Sequence, residues 1–208
     1  MDFLFYTYEF LTKFIPFLAV FLLYAKKYKS QGIRMSKLHV TSAFLFAVYM
    51  ACVFHVTGAG TLYETFRYFQ YDMGQINLHL VPFSEEIDAF GYFANILMMM
   101  PFGFLLPLIS PKSGKFRIIF LSGFLFSLSI ELSQLFNYRA TDIDDLILNT
   151  LGAILGYEIC QAGLMLFRKN EPKDSYSVFE PFIYAIVLFL GHYFLFDGLR
   201  MASLIYGF

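Results

Sequence analysis

Long apolar runs, set apart by short polar breaks, dominate the chain. They fall near 8–25, 38–57, 91–110, 117–137, 144–167 and 179–200, and each reaches or approaches the roughly 20 residues a membrane-crossing helix needs. The pattern predicts an all-α fold: a polytopic membrane helix bundle of about six transmembrane helices plus an outer interfacial segment. The third run contains Pro101 and closes at Pro107, so a kink is expected where the missing N–H frees a carbonyl. Residues 58–90 form the longest stretch between runs. Gly58-Ala59-Gly60 breaks the second helix, and TLYETFRYFQYDMG then reads as a short interfacial helix. Leu62, Phe66 and Phe69 share one side of it, with Glu64, Arg67 and Asp72 elsewhere, as suits a headgroup boundary. INLHLVPF begins extended and ends on Pro82-Phe83. Ser84 is placed to cap a helix with Glu85 and Glu86 in its first turn. A connection this long is expected to fold back over the mouth of the bundle. The last run follows the polar hinge EPKDSYS and carries His192, Asp197 and Arg200 towards its outer end.

Composition agrees with this reading. The chain is 58% hydrophobic and 15% charged, whereas about 25% charged is usual for soluble domains. With 15 basic against 16 acidic residues there is no nucleic-acid footprint, and with no Trp any interfacial anchoring falls to the 15 Tyr. Cys52 and Cys160 lie in apolar runs without a metal or redox spacing and read as small buried hydrophobes. Asp2 and Glu9 stand where a signal peptide would carry basic residues, so the first run is expected to be a retained span. Lys26, Lys27, Lys29, Arg34 and Lys37 fill the first connection. Lys112, Lys115 and Arg117 fill the third, and Arg168, Lys169 and Lys173 the fifth. The positive-inside rule places these connections in the cytoplasm and both termini outside, in a multi-pass protein of the cell membrane.

The polar residues stranded within the runs are concentrated between Ile130 and Gly156. At helical spacing Glu131, Gln134 and Tyr138 share one face. Asp142, Asp145, Asn149, Gly152 and Gly156 share a face of the next helix. Ionisable groups are costly in lipid, so Glu131, Arg139, Asp142 and Asp145 make a candidate catalytic cluster. Gln134, Asn149 and Asn95, one turn into the third run, add amides that could fix a substrate. Arg139 could hold a phosphate or carboxylate bidentately; its plainer role is an ion pair with Glu131 or the aspartates. Asp142 and Asp145 exceed what a helix cap requires, whereas Asp144 faces away from both and is expected only to cap. Their hard oxygens could hold a divalent cation such as Mg²⁺ or Ca²⁺, although no metal-loop spacing is present. No other cofactor is indicated. His79 could serve as a base near neutral pH or as a plain surface residue. His39, His55 and His192 are too scattered for a ligand set. Gly152-x-x-x-Gly156 points to close helix packing.

The stretch from His79 to Gly156 resembles the VanZ-like family, named for a glycopeptide (teicoplanin) resistance protein of Gram-positive bacteria. The resemblance lies in Pro82-Phe83, Asn95 and Pro101-x-Gly103-Phe104-Leu105-Leu106-Pro107. It continues through Glu131-x-x-Gln134, Arg139, Asp142-x-x-Asp145, Asn149, Gly152 and Gly156. The family commonly has Asn where His79 stands. The division that follows is 1–78 for the N-terminal spans and outer interfacial segment, 79–167 for the VanZ-like core, and 168–208 for the hinge and last span. The resemblance implies a small multipass membrane protein with its polar residues gathered on one side, and low-level glycopeptide resistance in some members. It also implies kinship with enzymes acting on lipid headgroups or lipid-linked envelope precursors. The expected partner is therefore a membrane lipid or lipid-linked precursor at the outer leaflet. The expected reaction is phosphodiester cleavage or phosphotransfer, with Glu131 as general acid or base. A non-catalytic binder of lipid or antibiotic is a second expectation, and a transporter a third. Against the transporter, the charges cluster near one face and no inverted repeat is visible.

Overall fold

The computed structural model describes residues 2–71, 78–84, 88–135, 141–167 and 176–207. Helices occupy each of the apolar runs. Here α1 is Asp2–Ser30, α2 Lys37–Thr57, α3 Leu62–Tyr71, α4 Ala89–Ile109, α5 Phe116–Gln134, α6 Ile143–Phe167, α7 Glu180–Leu195 and α8 Gly198–Tyr206. A two-residue parallel pairing joins β1 (Leu78–His79) to β2 (Thr141–Asp142); otherwise the described regular structure is helical. Among the described residues four helices pass as long and apolar enough to cross a membrane by length and composition, or up to five if the bent α7–α8 pair is one span. The outer surface agrees with a lipid setting: Phe90, Met165 and Leu166 are each more than three-quarters exposed, where a soluble protein would keep such side chains inside.

The ends of the elements follow their local chemistry. Ser36 caps α2 by accepting the His39 N–H at 3.1 Å, and Gly58, in the left-handed region at φ 60°, stops it. Thr61 and Glu64 form a reciprocal capping box at the start of α3: the Glu64 carboxylate accepts the Thr61 N–H at 2.8 Å, and the Thr61 hydroxyl accepts the Glu64 N–H at 3.2 Å. Phe66 and Phe69 on that helix are exposed, as an interfacial helix requires. Ser84 is not helical. Helix α4 opens instead after Asp88 and runs through both Pro101 and Pro107 to Ile109; Glu85 and Glu86 lie outside the described residues. The last apolar run is not one helix over 179–200. It breaks after Leu195 and bends by 52° into α8. Asp197 is the cause: its Oδ1 accepts the Arg200 N–H at 3.1 Å and meets the Arg67 guanidinium at 3.0 Å, so it starts a new helix.

Helix α4 is the axis of the bundle, packed most extensively on α6 and next on α2. The α4–α6 approach is close because glycines meet backbone. A Cβ on Gly103 would overlap the Ala153 carbonyl, one on Gly152 the Ile96 carbonyl, and one on Gly156 the Met100 carbonyl. Small residues allow such contact where lipid provides no hydrophobic drive between helices. Helices α1 and α7 form a second pair. The core between the two assemblies is aromatic: Phe17, Phe46, Phe54, Phe102 and Tyr184 are buried, and Phe102 lies flat on Phe126 with centroids 5.0 Å apart. The end of α1, the start of α2, the end of α4 and the start of α5 gather at one end of the bundle, carrying Lys26, Lys27, Lys29, Arg34, Lys37, Lys112, Lys115 and Arg117. We call this the basic end. The opposite end, where α2 finishes and α4 and α6 begin, holds the stranded polar residues.

Candidate functional site

A cavity of about 120 Å³ opens between the end of α2, the start of α4, the last turns of α5 and the first turns of α6. Its lining includes Asn95 and Met98 from α4, Glu131 and Gln134 from α5, and Asp145 and Asn149 from α6, closed by Val56, Thr57 and Ile130. The helical spacing is what brings them together. Glu131 and Gln134 are three residues apart on α5, Asp145 and Asn149 four apart on α6, so each pair projects from one stripe.

Each wall is fixed by a hydrogen bond. Gly58 ends α2 and leaves the Thr57 carbonyl without an intrahelical donor; Gln134 Nε2 supplies one at 2.7 Å. Ser133 Oγ accepts the Gly60 N–H at 2.9 Å, tying the same turn to α5. Asn95 donates through Nδ2 to Asp145 Oδ1, joining α4 to α6. Glu131, 4% exposed, accepts the backbone N–H of Asp142 at 3.1 Å through Oε2, which holds the start of α6 against α5. Asn149 donates to Ser127 Oγ at 3.0 Å. Its Oδ1 has no partner among the described residues, although the side chain is 2% exposed. A buried acceptor left without a donor is uncommon, and it belongs here to a residue of the cavity wall.

The remaining expectations divide. Asp142 does not line the cavity. Its Oδ1 accepts the Asp144 N–H at 2.8 Å, the bond of a helix cap, and its Oδ2 lies 4.0 Å from His79 Nδ1 across the β1–β2 pairing. His79 is therefore beside Asp142 and behind the pocket rather than in it. Asp144 corrects the expectation that it only caps. It is buried, accepts the Phe83 N–H at 2.9 Å and the Tyr92 hydroxyl at 2.6 Å, and so binds the 78–84 segment and α4 to the start of α6. Phe83 needs that restraint, since it holds φ at +53° without being glycine. Arg139, and with it Tyr138, lies outside the described residues. Among the described residues no three His, Cys, Asp or Glu side chains converge as a metal site. The sequence reading missed Ser127, Thr57 and Met98; the first two are ordinary polar residues of apolar runs, and only the fold shows them facing Asn149 and Gln134.

Residues 46–168 match the VanZ/LLP1 family. The chain belongs to that family. The match takes in the second half of α2 and α3 as well as the helices carrying the pocket. A VanZ-family relative, Protein VanZ of Enterococcus faecium, is 29% identical over 154 residues, covering 72% of this chain and 91% of the relative. No solved structure matches this VanZ-family chain. The apolar helices and the family together make it a multi-pass membrane protein.

Proposed function

We propose that the protein acts on the headgroup of a membrane lipid or lipid-linked envelope precursor at the outer leaflet, and that through this activity it contributes to glycopeptide (teicoplanin) resistance. The single observation that carries the reading is the convergence of Glu131, Asp145 and Asn149 on one cavity between membrane helices. Its lining is rich in acceptors, which suits a hydroxyl- or ammonium-bearing group. A volume of about 120 Å³ is well below the ~300 Å³ at which drug-sized ligand sites begin. It fits part of a headgroup and not a glycopeptide antibiotic.

In this reading Glu131 takes the proton from a water or hydroxyl as the attacking oxygen bonds to phosphorus, the bond from phosphorus to the ester oxygen opposite breaks, and Glu131 returns the proton to the departing alcohol. Asp145, steadied by Asn95, orients that nucleophile or a divalent cation. Asp142 and His79 support Glu131 through the Asp142 N–H and the β1–β2 pairing. Arg139 would hold the phosphate, a role that rests on the sequence. Gln134 and Asn149 keep the walls in place. The pocket end faces outward by the distribution of Lys and Arg, with both termini on the same side.

The test uses the full chain in nanodiscs, supplied with radiolabelled phosphatidylglycerol, cardiolipin and lipid-linked precursors, with products separated chromatographically. Turnover that falls by roughly 100-fold or more in Glu131→Gln, the range for a lost acid–base group, is expected. Saturable binding without product would make the protein a binder, and neither turnover nor binding would overturn the proposal.

A further inference from the structure

A second, larger cavity of about 430 Å³ is lined by Leu45, Tyr49, Met100, Pro101, Phe104, Leu105, Gly156 and Ile159. Its side chains are apolar except for the Tyr49 hydroxyl, which is turned inward onto Met99 Sδ at 3.6 Å. The same three helices that supply Val56, Asn95 and Asp145 to the polar pocket supply this groove, deeper along their lengths. On α2 the residues Leu45, Tyr49 and Val56 recur at helical spacing and form one stripe; on α4 so do Met98, Pro101 and Leu105. Met98 lines the polar pocket, Met99 accepts from the Tyr49 hydroxyl and Met100 lines the groove, so three consecutive methionines of α4 lead from one to the other.

We infer that this groove holds the hydrocarbon chain of the same lipid whose polar group enters the Glu131 pocket, an inference that rests on the reading of that pocket. The lengths agree. From Asn95 to Leu105 α4 rises about 15 Å, and from Val56 to Leu45 α2 rises about 16 Å, at ~1.5 Å per residue. One leaflet's share of a ~30 Å hydrocarbon core is also about 15 Å. A lipid with its headgroup at the pocket therefore lays its chain along the groove without leaving its own leaflet. The lining explains the selectivity this confers: a soluble headgroup analogue meets only the pocket, whereas a lipid gains both.

The experiment is photolabelling of the full chain in phosphatidylcholine nanodiscs with phosphatidylglycerol carrying a mid-chain diazirine, followed by peptide mapping. The expected result is label concentrated on Tyr49 and on 100–105, removed by excess unlabelled phosphatidylglycerol. It should fall at least fivefold in the double variant Leu45→Trp, Ile159→Trp, which fills the groove from its lipid side at positions 55% and 51% exposed. Leu121→Trp, on exposed α5 surface away from the groove, should leave it unchanged. Glu131→Gln should weaken groove labelling as well, because head and chain bind together. Label spread evenly over exposed apolar positions and insensitive to the double variant would overturn the inference. If dibutanoyl phosphatidylglycerol still bound in a Glu131-dependent way in that case, the pocket reading would stand alone. Groove labelling that Glu131→Gln left untouched would also overturn the inference, showing a lipid seat independent of the pocket.

Discussion

Of the three glutamates buried among the described residues, Glu9, Glu131 and Glu180, the last two lie at opposite ends of this bundle and are buried in different ways. Glu180, at the basic end, has no exposed surface and is met on every side by protein. The hydroxyl of Tyr28 donates to its Oε2, the hydroxyl of Tyr184 to its Oε1 at 2.6 Å, and His39 Nε2 lies 3.1 Å from Oε1. The ring of His39 is itself fixed, with Nδ1 2.8 Å from the Ile109 carbonyl and Tyr176 stacked on it at 4.0 Å. Because a carbonyl only accepts, that Nδ1 carries a proton. Ser177 N–H completes the cluster on the Tyr28 hydroxyl at 3.0 Å. Glu131, at the pocket end, accepts a backbone N–H and faces a cavity shared with Asp145 and Asn149. The difference separates two uses of a buried carboxylate. One is filled with protein donors and clamps α1, α2, α4 and α7; the other leaves space beside it. An ionisable residue in a membrane helix is a functional candidate by default, and the space beside Glu131 is what separates it from Glu180.

The sharpest test removes both glutamates in turn. Glu180→Ala removes the acceptor of two buried tyrosine hydroxyls, and each donor left unsatisfied costs about 1–3 kcal/mol. Unfolding of the detergent-purified protein should show that loss, with little folded protein recovered. Glu131→Gln should do the reverse. Its amide oxygen still accepts the Asp142 N–H, so stability should change by no more than about 1 kcal/mol, while turnover or lipid binding collapses. Equal destabilisation by the two changes would erase the distinction between clamp and site.

Asp144 tests the boundary between those roles. Asp144→Ala removes the acceptor of the Phe83 N–H and of the Tyr92 hydroxyl, and should cost about 2–3 kcal/mol by leaving both unsatisfied. Hydrogen exchange should quicken first in 78–84, with the β1–β2 pairing lost, while the basic end keeps its protection. Uniform loss of protection would place Asp144 with Glu180 as a global clamp.

Much of this was legible because lipid imposes a simple code. Spans must be helical, so spacing alone aligned Glu131 with Gln134 and Asp145 with Asn149, and Gly152-x-x-x-Gly156 marked a close helix approach, although not the helix that makes it. The roles of Asp142 and Asp144 were not legible. Either could cap the first turn of α6, and the choice is made by the pairing of Thr141–Asp142 with Leu78–His79, a contact from far along the chain. Glu180 was hidden for the same reason: it follows a polar hinge in sequence, and its partners Tyr28 and His39 belong to the first two helices. The break at Asp197 was invisible inside a run that is apolar on both sides of it.

The finest test is Asn149→Leu, where the comparison predicts almost no change in stability. The wild-type side chain gives one hydrogen bond, to Ser127, and buries an Oδ1 with no partner among the described residues. Leucine removes both the bond and the orphaned acceptor at nearly the same volume, so the net effect on unfolding should lie within about 1 kcal/mol of zero. Lipid binding should nevertheless weaken, because a polar residue of the cavity wall is gone. A drop in stability comparable to that of Asp144→Ala, with binding retained, would mean that Asn149 is interhelical glue and takes no part in what the pocket binds.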